Sequence, residues 1–170
     1  MSKIFTVLLT LCIIAGVVLT AGAEQNKSVR DDIQALLNAA GEAFDRKDAY
    51  GVAKTATKDA VLHYLDGGEI PMEEWIANSA FEFEKTKSMK SKFQVEAAEA
   101  KGDMAVADYS EKHEYVMKDE SSHTYKSESK WQVELVKTKD GWRIRKFTQL
   151  ADVTYRDGKK INEQIPMGEE

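Results

Sequence analysis

The chain has one cysteine, two prolines and three histidines in 170 residues. The cysteine, Cys12, sits inside the apolar stretch from Ile4 to Leu19, so the polar remainder has no thiol. That excludes disulfides, thiolate metal ligands and a thiol nucleophile from everything beyond the first 23 residues. Three histidines with no His-Glu-x-x-His spacing give no zinc signature, and no metal is expected. There is no glycine-rich phosphate loop and no Gly-x-Ser-x-Gly elbow, so no cofactor is implied. Basic residues do not cluster with aromatics, and the net charge is −5 at neutral pH. Nucleic acid and anionic membranes are therefore poor partners.

What is present begins with Lys3, the apolar stretch Ile4–Leu19 and the small-x-small triplet Ala21-Gly22-Ala23. This is the pattern of a secretory signal peptide over residues 1–23, with cleavage expected before Glu24. The apolar stretch is short of the roughly 20 residues that span a bilayer. No later stretch is apolar enough to cross one. The expectation is an exported protein, periplasmic or secreted, without stable membrane insertion after cleavage.

From Ser28 the period is helical. Ser28 and Asp31 have capping-box spacing, and Val29, Ile33, Leu36, Leu37, Ala40 and Phe44 form one apolar stripe. Gly41 interrupts that helix, as a close approach by another backbone would require. Asp48 suits the N-cap of a short second helix. AVLHYL (60–65) reads as a strand, Asp66-Gly67-Gly68 as a turn, and Pro71 as the start of a third helix with Met72, Trp75, Ile76 and Phe83 on its apolar side. The polar run 85–90 reads as a loop.

From Lys92 the period drops to two. Phe93, Val95 and Ala97 alternate with polar neighbours, and a second long strand runs from Met104 to Met117. Its apolar residues change parity midway, which predicts a bulge within it. The clearest signal follows. In KSESKWQVELVKTKDGWRIRKFTQL (126–150), Ser127, Ser129, Trp131, Val133 and Leu135 fall on one face and charged residues on the other. Asp140-Gly141 then supplies a hairpin turn. A second Asp-Gly, Asp157-Gly158, allows another small hairpin in an otherwise polar tail, 153–170. Helices bunched before an antiparallel meander indicate α+β.

The stretches IQALLNAAGEAFDRKDAYGVAKTATKDAVLHY, GDMAVADY and KDGWRIRKF, in this order and spacing, resemble the NTF2-like superfamily, in its bacterial DUF4440/SnoaL-like branch. The likeness runs from about residue 28 to 152, taking 24–152 as the domain. It implies a curved antiparallel sheet packed on three N-terminal helices, forming a cone with a cavity, often in a homodimer paired through the outer sheet face. Its members include isomerases, cyclases and dehydratases that work with a carboxylate base and a hydrogen-bond donor for an enolate, and also non-catalytic binding subunits. The fold therefore names a pocket and not a reaction.

No residue matches the catalytic positions of that resemblance, and Asp48 is explained by capping. Candidates for the cavity lining come from strand parity. His63 and Tyr64 are neighbours on one strand, so only one can face inward. Tyr109, Glu111 and His113 share a face if no bulge intervenes. Trp131 belongs to the apolar side of its strand. Lys146 and Thr148 share parity with Trp142 and Ile144, and reach the cavity if the hairpin register holds throughout. Three readings stay open: an exported module binding a small apolar or amphipathic ligand, a metal-independent isomerase, cyclase or dehydratase, and a dimeric partner of another protein.

Overall fold

The computed structural model describes residues 27–118 and 123–164. The expected signal peptide lies outside them. Helix α1 covers residues 27–45 and buries Val29, Ile33, Leu37 and Ala40, so its apolar stripe does face the core. Ser28 lies within this helix and is not its cap. The helix is closed by Lys47, whose φ of 57° is left-handed. Asp48 then caps α2 (Ala49–Ala53), its Oδ1 accepting from Gly51 N–H at 2.8 Å.

The remaining elements are β1 (Ala56–His63), β2 (Glu69–Pro71), α3 (Met72–Lys85), β3 (Thr86–Lys101), β4 (Met104–Met117), β5 (Thr124–Thr138), β6 (Gly141–Arg156) and β7 (Lys159–Gln164). Pro71 immediately precedes α3, with Glu73 and Glu74 in the first turn and Lys85 in the last, complementing the helix dipole. The polar run expected as a loop is strand from Thr86 onward. Its polar residues sit on a half-wet strand, where alternation tolerates them.

The sheet order is β2-β1-β6-β5-β4-β3, with β7 also paired to β6. All neighbours are antiparallel except β1 and β6. This is the expected α+β architecture: helices packed on the inner face of a curved, mostly antiparallel sheet. The core lies between α1 and the centres of β3 to β6, where Val95, Val133, Leu135 and Ile144 are wholly buried.

The curvature has a local cause. In β3, Lys87 and Glu96 are extra residues relative to β4. In β6, Arg145 and Leu150 are extra relative to β5. Each bulge bends its strand and increases its twist. The bulge expected in β4 is absent from its pairing with β5, which steps one residue at a time from Met104↔Val136 to Val116↔Thr124. Ala105, Ala107, Tyr109, Glu111 and His113 accordingly all face inward, while Val106 is on the outside.

Both Asp-Gly turns form. Gly141 carries φ 98° after Lys139-Asp140, and Asp157 and Gly158 are both left-handed, at 50° and 78°, the paired positive angles of a type I′ turn. The second turn joins β6 to β7, so the sheet continues to Gln164. Gly41 is approached most closely by a ring, with the Ser91 backbone oxygen farther off, at 3.8 Å from an added β-carbon. A β-carbon there would lie 3.2 Å from Phe93 Cδ2.

Candidate functional site

A hollow lies between α1, α2, α3 and the inner face of the sheet. About 70 Å³ of it is open to the centre of a water-sized sphere, within about 530 Å³ of unfilled space that includes the mouth. A single water needs about 10–15 Å³ on that measure, so the hollow is a genuine void. Phe44, Trp75 and Phe147 supply much of its wall, and Tyr64, Tyr109 and Trp131 add aromatic surface with polar tips. Among the described residues, one charged side chain lines it: Glu111.

Glu111 is placed by β4, two residues after Tyr109 and directly opposite Ser129 on β5. Its side chain is 13% exposed. Trp131 Nε1–H donates to Oε1 at 2.9 Å. The Tyr109 hydroxyl also hydrogen-bonds to the carboxylate. The carboxylate has about four acceptor positions, so these two donors leave capacity for a ligand. The Tyr64 ring stands edge-on to Trp131 at 5.7 Å, and burial followed by the Glu111 charge raises its hydroxyl pKa.

His113 lies behind this wall. Its Nε2 is 3.7 Å from Glu111 Oε1 and its Nδ1 is 2.9 Å from Ser91 Oγ. Phe44 and Phe93 hold the ring, with centroids at 4.7 and 5.6 Å.

Strand parity thus brings Tyr64, Tyr109, Glu111 and Trp131 together on the hollow, with His113 adjoining. It does not bring His63, Lys146 or Thr148. The extra residue Arg145 flips β6, so Phe147 and Gln149 turn inward while Lys146 and Thr148 turn outward. Lys146 Nζ lies 3.8 Å from Glu134 on the outer face. His63 pairs beside Thr148 and holds Glu69 with Nδ1 at 2.9 Å. The choice between His63 and Tyr64 falls to Tyr64, because Leu62 is buried and the strand alternates.

Sequence reading passed over three inner polar residues. Ser91 holds His113. Ser129, itself buried, donates to Asp152 Oδ1 at 2.7 Å. Ser129 was visible on the Trp131 face of the hairpin, and Asp152 shares the parity of Trp142 and Ile144, which the two bulges in β6 reverse and then restore. Among the described residues, no group of three or more acidic, histidine or cysteine side chains is arranged to hold a metal.

The Tyr109 hydroxyl is pushed well above the usual tyrosine value of 10.0, first by burial and then by the Glu111 charge and hydrogen bond. A folded pKa above the unfolded one means the contribution is intact below pH about 10 and lost as pH rises beyond it. The urea midpoint should therefore fall between about pH 8 and about pH 11, and fall less in Tyr109→Phe. Parallel losses in the two proteins would show that another group carries the alkaline sensitivity.

The family model for the SnoaL-like domain matches residues 26–148. The chain belongs to the SnoaL-like family. No curated protein matches this SnoaL-like chain. Solved structures share its fold at low identity. A ketosteroid isomerase-like protein from Erwinia carotovora is 19% identical, with TM-score 0.58, over 78% of this chain and 96% of the other. A conserved protein from Planctomyces limnophilus is 13% identical, with TM-score 0.63, over 73% and 94%. An NTF-2 like protein of unknown function from Shewanella oneidensis is 18% identical, with TM-score 0.54, over 70% and 96%. At such identities the likeness concerns the fold, an NTF2-like cone.

Proposed function

We propose that this SnoaL-like protein binds a small, mostly apolar molecule in the hollow, and that Glu111 accepts a hydrogen bond from the molecule's hydroxyl or amine. The observation that carries this reading is a carboxylate set into an aromatic and aliphatic wall, already oriented by Trp131 Nε1–H. Apolar pockets with a few fixed polar groups orient a ligand by those groups. The reading includes export, supported by the pattern of residues 1–23, and a homodimer through the outer sheet face, as the family resemblance implies.

A second reading is favoured by His113 beside Glu111: metal-independent proton transfer, with Glu111 as base and Tyr64 as donor to the developing oxyanion. The test begins with native mass spectrometry of the purified protein to identify a retained molecule. Glu111→Gln should then weaken its binding by about 10- to 100-fold, the worth of a charge-assisted hydrogen bond. Unchanged affinity would remove Glu111 from the site. Conversion of the molecule by wild type and not by Glu111→Gln would favour the second reading.

A further inference from the structure

The wall behind Glu111 is thin and polar at one place. The His113 ring spans it, 8% exposed. On one side Nε2 looks toward Glu111 and the hollow. On the other, Nδ1 meets Ser91, which lines a separate recess between α1 and the free edge of β3. That recess offers about 540 Å³ to the centre of a water-sized sphere and is lined by Asn38, Asp45 and Lys92. Two solvent-sized spaces are thus joined through one imidazole.

We infer that Ser91, His113 and Glu111 form a proton relay between the hollow and the α1–β3 recess, with Ser91 as its positioning residue on the solvent side. The inference rests on Glu111 being the polar group that meets the ligand. A molecule hydrogen-bonded to Glu111 covers the carboxylate on the side of the hollow. Any proton the carboxylate gains or gives then needs another way out, and this is the polar route at hand.

The charges set the direction of the chain. A carboxylate facing Nε2 favours the tautomer with hydrogen on Nε2, which makes Nδ1 the acceptor and the Ser91 hydroxyl the donor. Ser91 is fixed for this task from α1: Asp45 Oδ1 accepts its backbone N–H at 2.7 Å, while Asp45 Oδ2 holds Lys90 Nζ at 3.0 Å. Across from His113, β5 brings Ser127. For a proton moving inward, Ser91 passes its hydroxyl proton to Nδ1 and is replenished by water in the recess. The imidazolium gives its Nε2 proton to Glu111. The reverse passage returns the proton to water and restores the tautomer, so atoms and charge balance. At 3.7 Å the Nε2–Oε1 contact must tighten for transfer, by a tilt of the ring where it packs between Phe44 and Phe93.

The test is nitrogen-15 NMR of the histidine rings in the full chain without ligand. Wild type should show the His113 tautomer with its proton on Nε2. Ser91→Ala should shift the ring toward a mixture of tautomers and slow exchange of the ring proton with water by about 10²-fold, the low end of what a positioned proton-transfer group contributes. Ser91→Thr should restore both. A wild-type proton on Nδ1, or exchange unchanged or faster in Ser91→Ala, would overturn the relay. Because no ligand is present, that result would leave the binding proposal standing, and loss of the binding proposal would not alter these spectra.

Discussion

Trp131→Ala should destabilise the protein by about 3–5 kcal/mol, the range for removing a large aromatic from a core. The indole is 6% exposed, edge-on to Tyr64 at 5.7 Å and to Phe147 at 6.4 Å, and it holds Glu111. Two losses therefore combine: buried ring area and one of the carboxylate's donors. Trp131→Phe separates them. It keeps a ring in place and removes the N–H, so it should cost about 1–3 kcal/mol, the penalty for a buried polar group left a partner short. Against a total stability of roughly 5–15 kcal/mol, the alanine change consumes a large share. A urea titration of the three proteins measures this. The truncation also enlarges an apolar hollow, so added indole should refill it and recover part of the loss. If alanine costs less than phenylalanine, or indole recovers nothing, the ring is not packed as described.

The same tryptophan shows why parts of the site were legible in sequence. Its strand alternates without interruption from Ser127 to Leu135, and the structure buries Ser129, Trp131, Val133 and Leu135. Neighbouring β4 keeps step with it, so Tyr109, Glu111 and His113 share the inner face because the bulge expected in β4 is absent from this pairing. The helical stripe of α1 is equally plain, because 3.6-residue spacing of Val29, Ile33 and Leu37 has no other economical explanation. Lys146 and Thr148 fail for a specific reason. Arg145 is a bulge residue with nothing in its chemistry to announce it, and one uncounted residue reverses every side chain after it. The second bulge, at Leu150, turns the strand back, so Asp152 lies on the same face that uninterrupted alternation from Ile144 gives. Ser91 was unreadable because its partner, His113, is 22 positions away and reaches it only across the β3–β4 pairing.

A further feature that periodicity does not reveal is how α1 treats the exposed edge of β3. Gln34 acts as a short piece of neighbouring strand. Its Oε1 accepts from Val95 N–H at 2.8 Å and its Nε2 donates to Phe93 C=O at 3.1 Å. Arg30 donates to Val95 C=O, Lys47 to Thr86 C=O, and Asp45 accepts from Ser91 N–H. An uncapped edge strand is a template for pairing with another chain. Gln34→Glu should therefore be more harmful than its size suggests. One carboxylate oxygen can still accept from Val95, but the other faces the Phe93 carbonyl with no proton between them. A loss of about 1 kcal/mol is expected at neutral pH, since a half-buried acceptor loses its donor and is left beside a charge. Hydrogen exchange should show the Val95 amide losing protection, and sedimentation should show larger species growing with concentration. Below pH about 4 the glutamic acid regains a hydroxyl donor with nearly the shape of glutamine, and the difference from wild type should shrink. Unchanged Val95 protection in Gln34→Glu at neutral pH would mean that water closes this edge as well as the side chain does, and that α1 is held to the sheet by its apolar stripe alone.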